Sequence, residues 1–401
     1  MEERRKLRVV IIVVVMILSA WAVYTIYSLS RPSSQYLDYR SDVTRICIDG
    51  NENLTSENGV VSGGGSLSDP YVLTFPDADR YYNQTIIEIS NTSVAFVLRG
   101  SVFSYSYLSG CLYVSEVSVR ISNATGFSVE DNHIGGGLKL NGCSDFTFCG
   151  NSLPSDYGDT IVNCSRYALN GNTGGKVSMV GCADFSISGN VNMTIALNDC
   201  SYSAITNNRF ERGVITVGNS LDCLIDSNLC QSITINAGSA DCLVVNNSVR
   251  DYSVSGGRGI VLDCVHNVTI YRNEIQNCSH HGIELWKSVT NCTIARNNIS
   301  DCYGAIILRD AEGCEVYHND IFSARSDNPT LDEQGWLNSW DLGYPGGGNY
   351  YFDYEGEDTH SGPDQTEDGP DGIGDTPVVV YTYLPGDPGV DRYPLMLPYV
   401  G

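Results

Sequence analysis

Three short stretches place chemically capable side chains at matching positions: Arg258-Gly259-Ile260-Val261-Leu262, His281-Gly282-Ile283-Glu284-Leu285-Trp286-Lys287 and Tyr303-Gly304-Ala305-Ile306-Ile307-Leu308-Arg309-Asp310. Aligning their glycines stacks Arg258, His281 and Tyr303, and sets Lys287 beside Arg309. With Ile283 and Leu285 inward, Glu284 and Trp286 point outward on one face. An outward indole among polar groups suits a sugar. The apolar ring face lies on Trp286, and the hydroxyls meet Arg258, His281, Glu284, Lys287 and Tyr303. The competing reading is an amphipathic Trp on a solvated face with ordinary charge pairs around it.

Cleavage asks for more. Hydrolysis needs two carboxylates about 5 Å or about 6.5–9.5 Å apart, and Glu284 and Asp310 are the acids that the alignment brings near each other. A lyase needs a base beside a cation that neutralises a carboxylate, a part open to Arg258, Lys287 or Arg309. The catalytic candidates are therefore Glu284, Lys287, Arg309 and Asp310, set against a scaffold that catalyses nothing. Cys278-Ser279-His280-His281, with Cys302 one repeat on, offers thiolate and imidazole to copper(I) or zinc. Structural cysteines beside an exposed His pair explain the same residues. Between Asp353 and Asp375 stand nine carboxylates and no Lys or Arg. Of these, Asp364, Asp368, Asp371 and Asp375 lie on or beside Gly-rich turns, as oxygen-ligated Ca²⁺ requires. The expected role of such an ion is structural, ordering the C-terminal cap, and a solvated acidic loop is the alternative.

The elements that must carry these groups follow from a repeat: apolar, any, apolar, any, any, Asn, any, usually apolar. Its asparagines are Asn132, Asn151, Asn172, Asn190, Asn208, Asn228, Asn247, Asn273, Asn297 and Asn319. Alternation before each Asn is strand geometry, and Asn tolerates the left-handed backbone of a corner. About twenty residues per repeat is too short for helical solenoids. It fits a right-handed parallel β-helix, the hand that parallel crossovers take, in which stacked Asn amides bond along a column. Cys143, Cys164, Cys182 and Cys200 each lie eight residues before a ladder Asn, and Cys223, Cys242, Cys292 and Cys314 five before. They replace core hydrophobes, and in-register neighbours about 4.8 Å apart are too far apart for the roughly 3.8 Å Cβ separation of a disulfide. Reduced core thiols are expected.

The chain has 401 residues, 23 Lys+Arg against 47 Asp+Glu, and 41 Gly. That acidic balance argues against nucleic acid as a partner, since phosphate binding needs clustered cations. Val9 to Tyr27 carries no charge and follows Arg4, Arg5, Lys6 and Arg8. It reads as a single-pass membrane anchor with its N-terminus inside. A cleaved signal peptide ending near Ala20-Trp21-Ala22 is the alternative. Either way the remainder is extracytoplasmic, in keeping with eleven Asn-x-Ser/Thr sequons: Asn53, Asn83, Asn91, Asn123, Asn163, Asn192, Asn246, Asn267, Asn277, Asn291 and Asn298. An Asn- and Ser/Thr-rich composition also produces sequons by chance.

Two further stretches carry a family resemblance. Ile46-Cys47-Ile48-Asp49-Gly50-Asn51 and Gly63 to Val72 open the repeat region. Gly348-Asn349-Tyr350-Tyr351-Phe352-Asp353-Tyr354, Asp371 to Pro377 and Asp391-Arg392-Tyr393-Pro394-Leu395-Met396 close it. Over roughly residues 45 to 396 the chain resembles the NosD-like family of right-handed β-helix proteins, related to carbohydrate-binding and sugar-hydrolase β-helices. The resemblance implies the fold, a surface location and, for the named member, assistance in copper-site assembly. Five Met and six His without a Met/His-rich tract depart from a copper carrier. The expected organisation is a basic flank and anchor over 1–30, a linker over 31–44, an all-β parallel β-helix over 45–330 and an acidic cap over 331–401. The expected role is binding or structural, toward glycans or neighbouring envelope proteins. A polysaccharide lyase or glycoside hydrolase is the first alternative, and a copper-handling accessory protein the second.

Overall fold

Alternating side chains decide the architecture. In Ala183–Ser188, Phe185 and Ile187 are buried while Ser186 and Ser188 face outward. The next coil repeats this in Ser201–Thr206, with Phe185 opposite Ser203 and Ile187 opposite Ile205 in a parallel pairing. The computed structural model describes residues 43–75, 84–103, 117–153, 158–251, 256–322, 324–326, 329–382 and 389–399. Within them the chain winds as a parallel β-helix. Each regular coil has two strands of five or six residues, such as Lys176–Val180 and Ala183–Ser188, and a short third edge. The strands preceding the ten ladder asparagines belong to a 13-stranded sheet. The expected anchor over Val9 to Tyr27, the sequon Asn83 and Cys111 lie outside the described residues. No helix among the described residues is long and apolar enough to cross a membrane.

The core is a set of vertical stacks. Phe96, Phe127, Phe146, Tyr167 and Phe185 lie ring on ring with centroids 4.6–4.9 Å apart, the spacing that strand pairing imposes. Beside them run aliphatic columns such as Ile233, Ile260, Ile283 and Ile306, all fully buried. Each such side chain contributes about 1.5–3 kcal/mol by leaving water. The fourteen described cysteines are all free thiols, and most are buried in these stacks. Cys143 N–H donates to Cys164 Sγ at 3.3 Å, and Ser203 Oγ donates to Cys223 Sγ at 3.1 Å. The thiols thus fill core positions, as their spacing predicts.

All ten expected ladder asparagines form one column, each at most 3% exposed. Every Asn Oδ1 from Asn151 onward accepts both the backbone N–H and the side-chain Nδ2 of the preceding Asn, the latter at 2.9–3.1 Å. Each Nδ2 also donates to a carbonyl of the coil before, as from Asn190 to Leu169 O at 2.9 Å. One expectation is corrected. The left-handed corner is taken by the residue before the ladder Asn, as at Gly150, Gly171, Gly189, Asn207, Arg272 and His318. The ladder Asn must aim its amide inward, so its neighbour makes the turn.

The column also runs past residue 330. Asn319 Nδ2 donates to Asn349 Oδ1 at 2.9 Å, and Asn349 N–H donates to Asp391 Oδ2 at 2.7 Å. Thr330–Glu333 pairs with Gly304–Glu312, and Tyr350–Tyr351 with Asp320–Ile321. A boundary at 330 therefore falls inside the stacked coils.

Candidate functional site

One outward column shows where the helix changes character. Thr160, Ser178, Ala196, Thr216 and Thr234 are in register and half-exposed. The same column continues as Val261, Glu284, Ile307 and Leu331, all buried, with Glu284 at 0% exposure. In these later coils the chain adds residues between the short third edge and the next strand. The first such addition runs between Ser248–Arg250 and Ile260–Asp263. Arg258, His280 and Tyr303 lie in such additions, and His281 opens the strand that follows one.

The expected outward Glu284 is thus a buried carboxylate at the centre of a cluster. Arg258 Nε lies 2.8 Å from Oε2, an ion pair without an aligned hydrogen bond. Arg309 Nη1 donates to Oε1 at 2.9 Å, and His281 Nδ1 is 3.1 Å from the same oxygen. Burial pushes the Glu284 pKa up, but the His281 contact and the two guanidiniums outweigh it and hold the carboxyl below its ordinary value. Burial together with the neighbouring His281 lowers the His280 pKa. Arg309 also reaches Glu333 Oε2 at 3.3 Å through its Nε.

Register corrects the glycine alignment. Arg258 does fall opposite His281, because Ile260 pairs with Ile283. His281, however, pairs with Gly304, and Trp286 with Arg309, one residue off the expected match. The physical reason is space, since a Cβ on Gly304 would sit 3.0 Å from His281 Cδ2. Tyr303 is therefore displaced from the stack. It is half-exposed, and its N–H is donated to the carbonyls of Cys278 and His280. Lys287 and Ser288, both with positive φ, form a bulge opposite Asp310, and Ser288 N–H donates to Asp310 Oδ2 at 3.2 Å. The bulge re-aims Lys287, whose Nζ lies 5.9 Å from the half-buried Trp286 ring centre. The Arg309 guanidinium sits 5.1 Å from that centre. The indole therefore already carries two cations.

Two other expected sites fare differently. Cys278 and Cys302 are fully buried thiols in the core, and neither joins the histidines in a ligand cluster. The mixed thiolate–imidazole site is therefore not formed. Asp364, Asp368, Asp371 and Asp375 do not bring three carboxylate oxygens within 4.8 Å of one another. Asp371 Oδ1 accepts Ile373 N–H at 3.0 Å, and Asp375 accepts the N–H groups of Thr359 and His360. Its contact with His360 Nδ1 at 2.9 Å holds the Asp375 carboxyl well below the usual range and raises the His360 pKa. The self-repelling acids are thus relieved in part by backbone donors and one imidazole.

The histidines expected beside Cys278 do come together with an acid, but the acid, Glu284, was not expected as their partner. His280, His281 and Glu284 bring one ligand atom each within 4.8 Å of one another, alone among the described residues. The adjacent His280-His281 pair was the available signal, but strand alternation argues that neighbours face opposite ways. Here the two rings lie 3.8 Å apart.

A family model described as "Periplasmic copper-binding protein (NosD)" matches residues 161–356, which include this cluster and the ladder from Asn172 to Asn349. Over that stretch the parallel β-helix is NosD-like. Among solved structures the NosD-like chain is similar to PfbA, a surface adhesin of Streptococcus pneumoniae, at 10% identity over 65% of this chain and 85% of that one, with a TM-score of 0.39. It is similar to the periplasmic alginate epimerase AlgG at 12% identity, over 73% and 71% of the two chains, with a TM-score of 0.32. It is also similar to the catalytic domain of a GH87 α-1,3-glucanase in complex with tetrasaccharides, at 12% identity over 66% and 59%, with a TM-score of 0.38. No curated protein matches the chain. The cluster offers the copper of the family description a matching set of donors. His280 Nδ1, His281 Nδ1 and Glu284 Oε2 are buried and without hydrogen bonds, and this donor set fits a borderline metal ion.

Proposed function

We propose that this NosD-like chain is a non-enzymatic surface protein, anchored by residues 9–27 with its β-helix outside the cell, and that the face around Trp286 holds a glycan. The observation that supports this is the half-buried indole framed by Lys287 and Arg309 at the edge of the Glu284 cluster. These cations and the exposed Tyr303 and Asp310 offer donors and acceptors for sugar hydroxyls beside an apolar surface. Hydrolysis with Glu284 as the general acid is disfavoured. A general acid needs a raised pKa, whereas Glu284 is held low and is surrounded by cations. The test is a glycan array probed with the full-length chain, followed by a reducing-end assay on the glycans it retains. Binding of one glycan class, lost in Trp286→Ala and without released ends, is the expected result. Released ends would make the chain an enzyme, and an empty array would end the glycan reading.

A further inference from the structure

We infer that His280, His281 and Glu284 hold a divalent first-row transition-metal ion, and that Arg258 is an internal cation that must leave Glu284 before the ion enters. Along the Asn column the amide groups are hydrogen-bonded repeatedly, whereas here Glu284 Oε2 has only the Arg258 ion pair, His281 Nδ1 only a 3.1 Å approach to Oε1, and His280 Nδ1 no hydrogen bond. His280 Nδ1, His281 Nδ1 and Glu284 Oε2 are buried without a hydrogen bond, and the three side chains converge within 4.8 Å. Buried lone pairs without aligned hydrogen bonds are costly, and three converging on one point share a single remedy. A metal ion takes a lone pair from each.

The local backbone is built for this convergence. His280 lies just before the strand His281–Thr290, so strict alternation does not govern it, and its ring stacks at a tilt of 51° on that of His281. Gly304, the partner of His281 on the next coil, leaves the room that a Cβ would fill. Two imidazoles and one carboxylate match copper(II) or zinc, and leave coordination positions for an outside ligand.

The two arginines have different parts. Arg309 is tied to both Glu284 and Glu333 and is largely covered. It acts as an outer partner that orients the carboxylate through Oε1. Arg258 contacts the other oxygen, Oε2, and its side chain is 44% exposed. It can swing into solvent and free that oxygen, so it competes with the ion directly. Cys278 and Cys302 lie on the core side and take no part.

The test is calorimetric titration of the metal-stripped full-length chain with copper(II) and, separately, zinc, with electron paramagnetic resonance of the copper-loaded protein. One equivalent bound, with hyperfine splitting from two nitrogens, is expected. His281→Ala is expected to abolish binding. His280→Ala, at the half-exposed edge, is expected to weaken it at least tenfold with an unchanged melting temperature. Arg258→Gln is expected to tighten binding about tenfold, which separates a competing cation from one that merely buttresses the site. Cys278→Ser is expected to leave binding unchanged. No binding by the wild-type chain, or a sulfur ligand in the spectrum, would overturn the site. Equal or weaker binding by Arg258→Gln would overturn the role given to Arg258. The glycan reading stands or falls separately: glycan retention by the metal-stripped chain without metal binding sinks this inference alone, and metal binding with an empty glycan array sinks that reading alone.

Discussion

Between Asn132 and Asn247 the amide column advances in steps of 18 to 21 residues, whereas from Asn247 to Asn349 the steps are 22 to 30. The hydrogen bonds along the column keep the same lengths across both halves. The extra residues are therefore placed away from the asparagine corner. In the regular half the outward column of Thr160, Ser178, Ala196, Thr216 and Thr234 is small and half-exposed. In the lengthened half the same column is buried and includes Glu284. One edge of the coil preserves register, and the other is free to accumulate chemistry. This is the division seen in folds whose loops carry function on a rigid scaffold.

The largest expected effect tests whether the column is indifferent to coil length. Asn190→Ala removes the bonds of its own amide, strands the buried N–H of Asn172 and takes one of the two bonds of Asn172 Nδ2, which keeps Phe148 O. A loss of about 4 kcal/mol is expected, and a similar loss for Asn297→Ala in the lengthened half, both read by urea unfolding. Unequal losses would break the comparison. Next in size, Glu284→Gln leaves Arg258 without its buried counter-charge and Arg309 with Glu333 alone, and is expected to cost about 3 kcal/mol. Ser178→Ala, in the same column of the regular half, is expected to stay within about 0.5 kcal/mol.

Two buried carboxylates, one in each half, should also answer pH with opposite signs. Asp159, buried in the regular half, accepts Leu138 N–H through Oδ1, while its Oδ2 has no partner. Burial raises its pKa to about 7. Stability from that proton is fully present below the unfolded-state pKa near 3.8 and is lost as pH rises through about 7. Glu284, held low, contributes stability above its unfolded pKa, and that stability is lost as pH falls through the depressed folded value. Melting temperatures of Asp159→Asn are expected to fall less between pH 5 and pH 8 than those of the wild type, by about 2–4 °C. An unchanged slope would remove Asp159 from the account. The smallest effect concerns thiols. Cys47 and Cys264 are exposed and should react with a thiol reagent in the native chain, whereas Cys143, Cys164, Cys182 and Cys200 should react only after unfolding.

What the sequence made legible was whatever a single coil determines. The Asn column, the inward cysteines and the strand alternation are local patterns repeated many times. The burial of Glu284 was not legible, because it depends on how inserted residues of neighbouring coils lie over the sheet. The offset of His281 against Gly304 was hidden as well, since aligning glycines ignores the volume of an imidazole. Asn349 sits in a stretch quoted for its family likeness, but its 30-residue step fell outside the repeat period. The sequons have a geometric reading too. Asn163-Cys164-Ser165 is a left-handed corner, an inward thiol and an outward hydroxyl, and Asp199-Cys200-Ser201 builds the same corner with Asp. Coil geometry thus accounts for many Asn-x-Ser/Thr triplets without reference to sugar.

Asp391 has a consequence for how such a rod changes length. Each asparagine both accepts and donates along the axis, so another one fits between any two. The carboxylate of Asp391 receives Asn349 and, burial having raised its pKa to about 7, is ionised above that pH and then has no proton to hand on. The strand of amide contacts is thereby terminated from within. A duplicated coil can enter the interior of the rod, but none can be appended beyond that acid, so growth by internal copying is the route this chemistry leaves open.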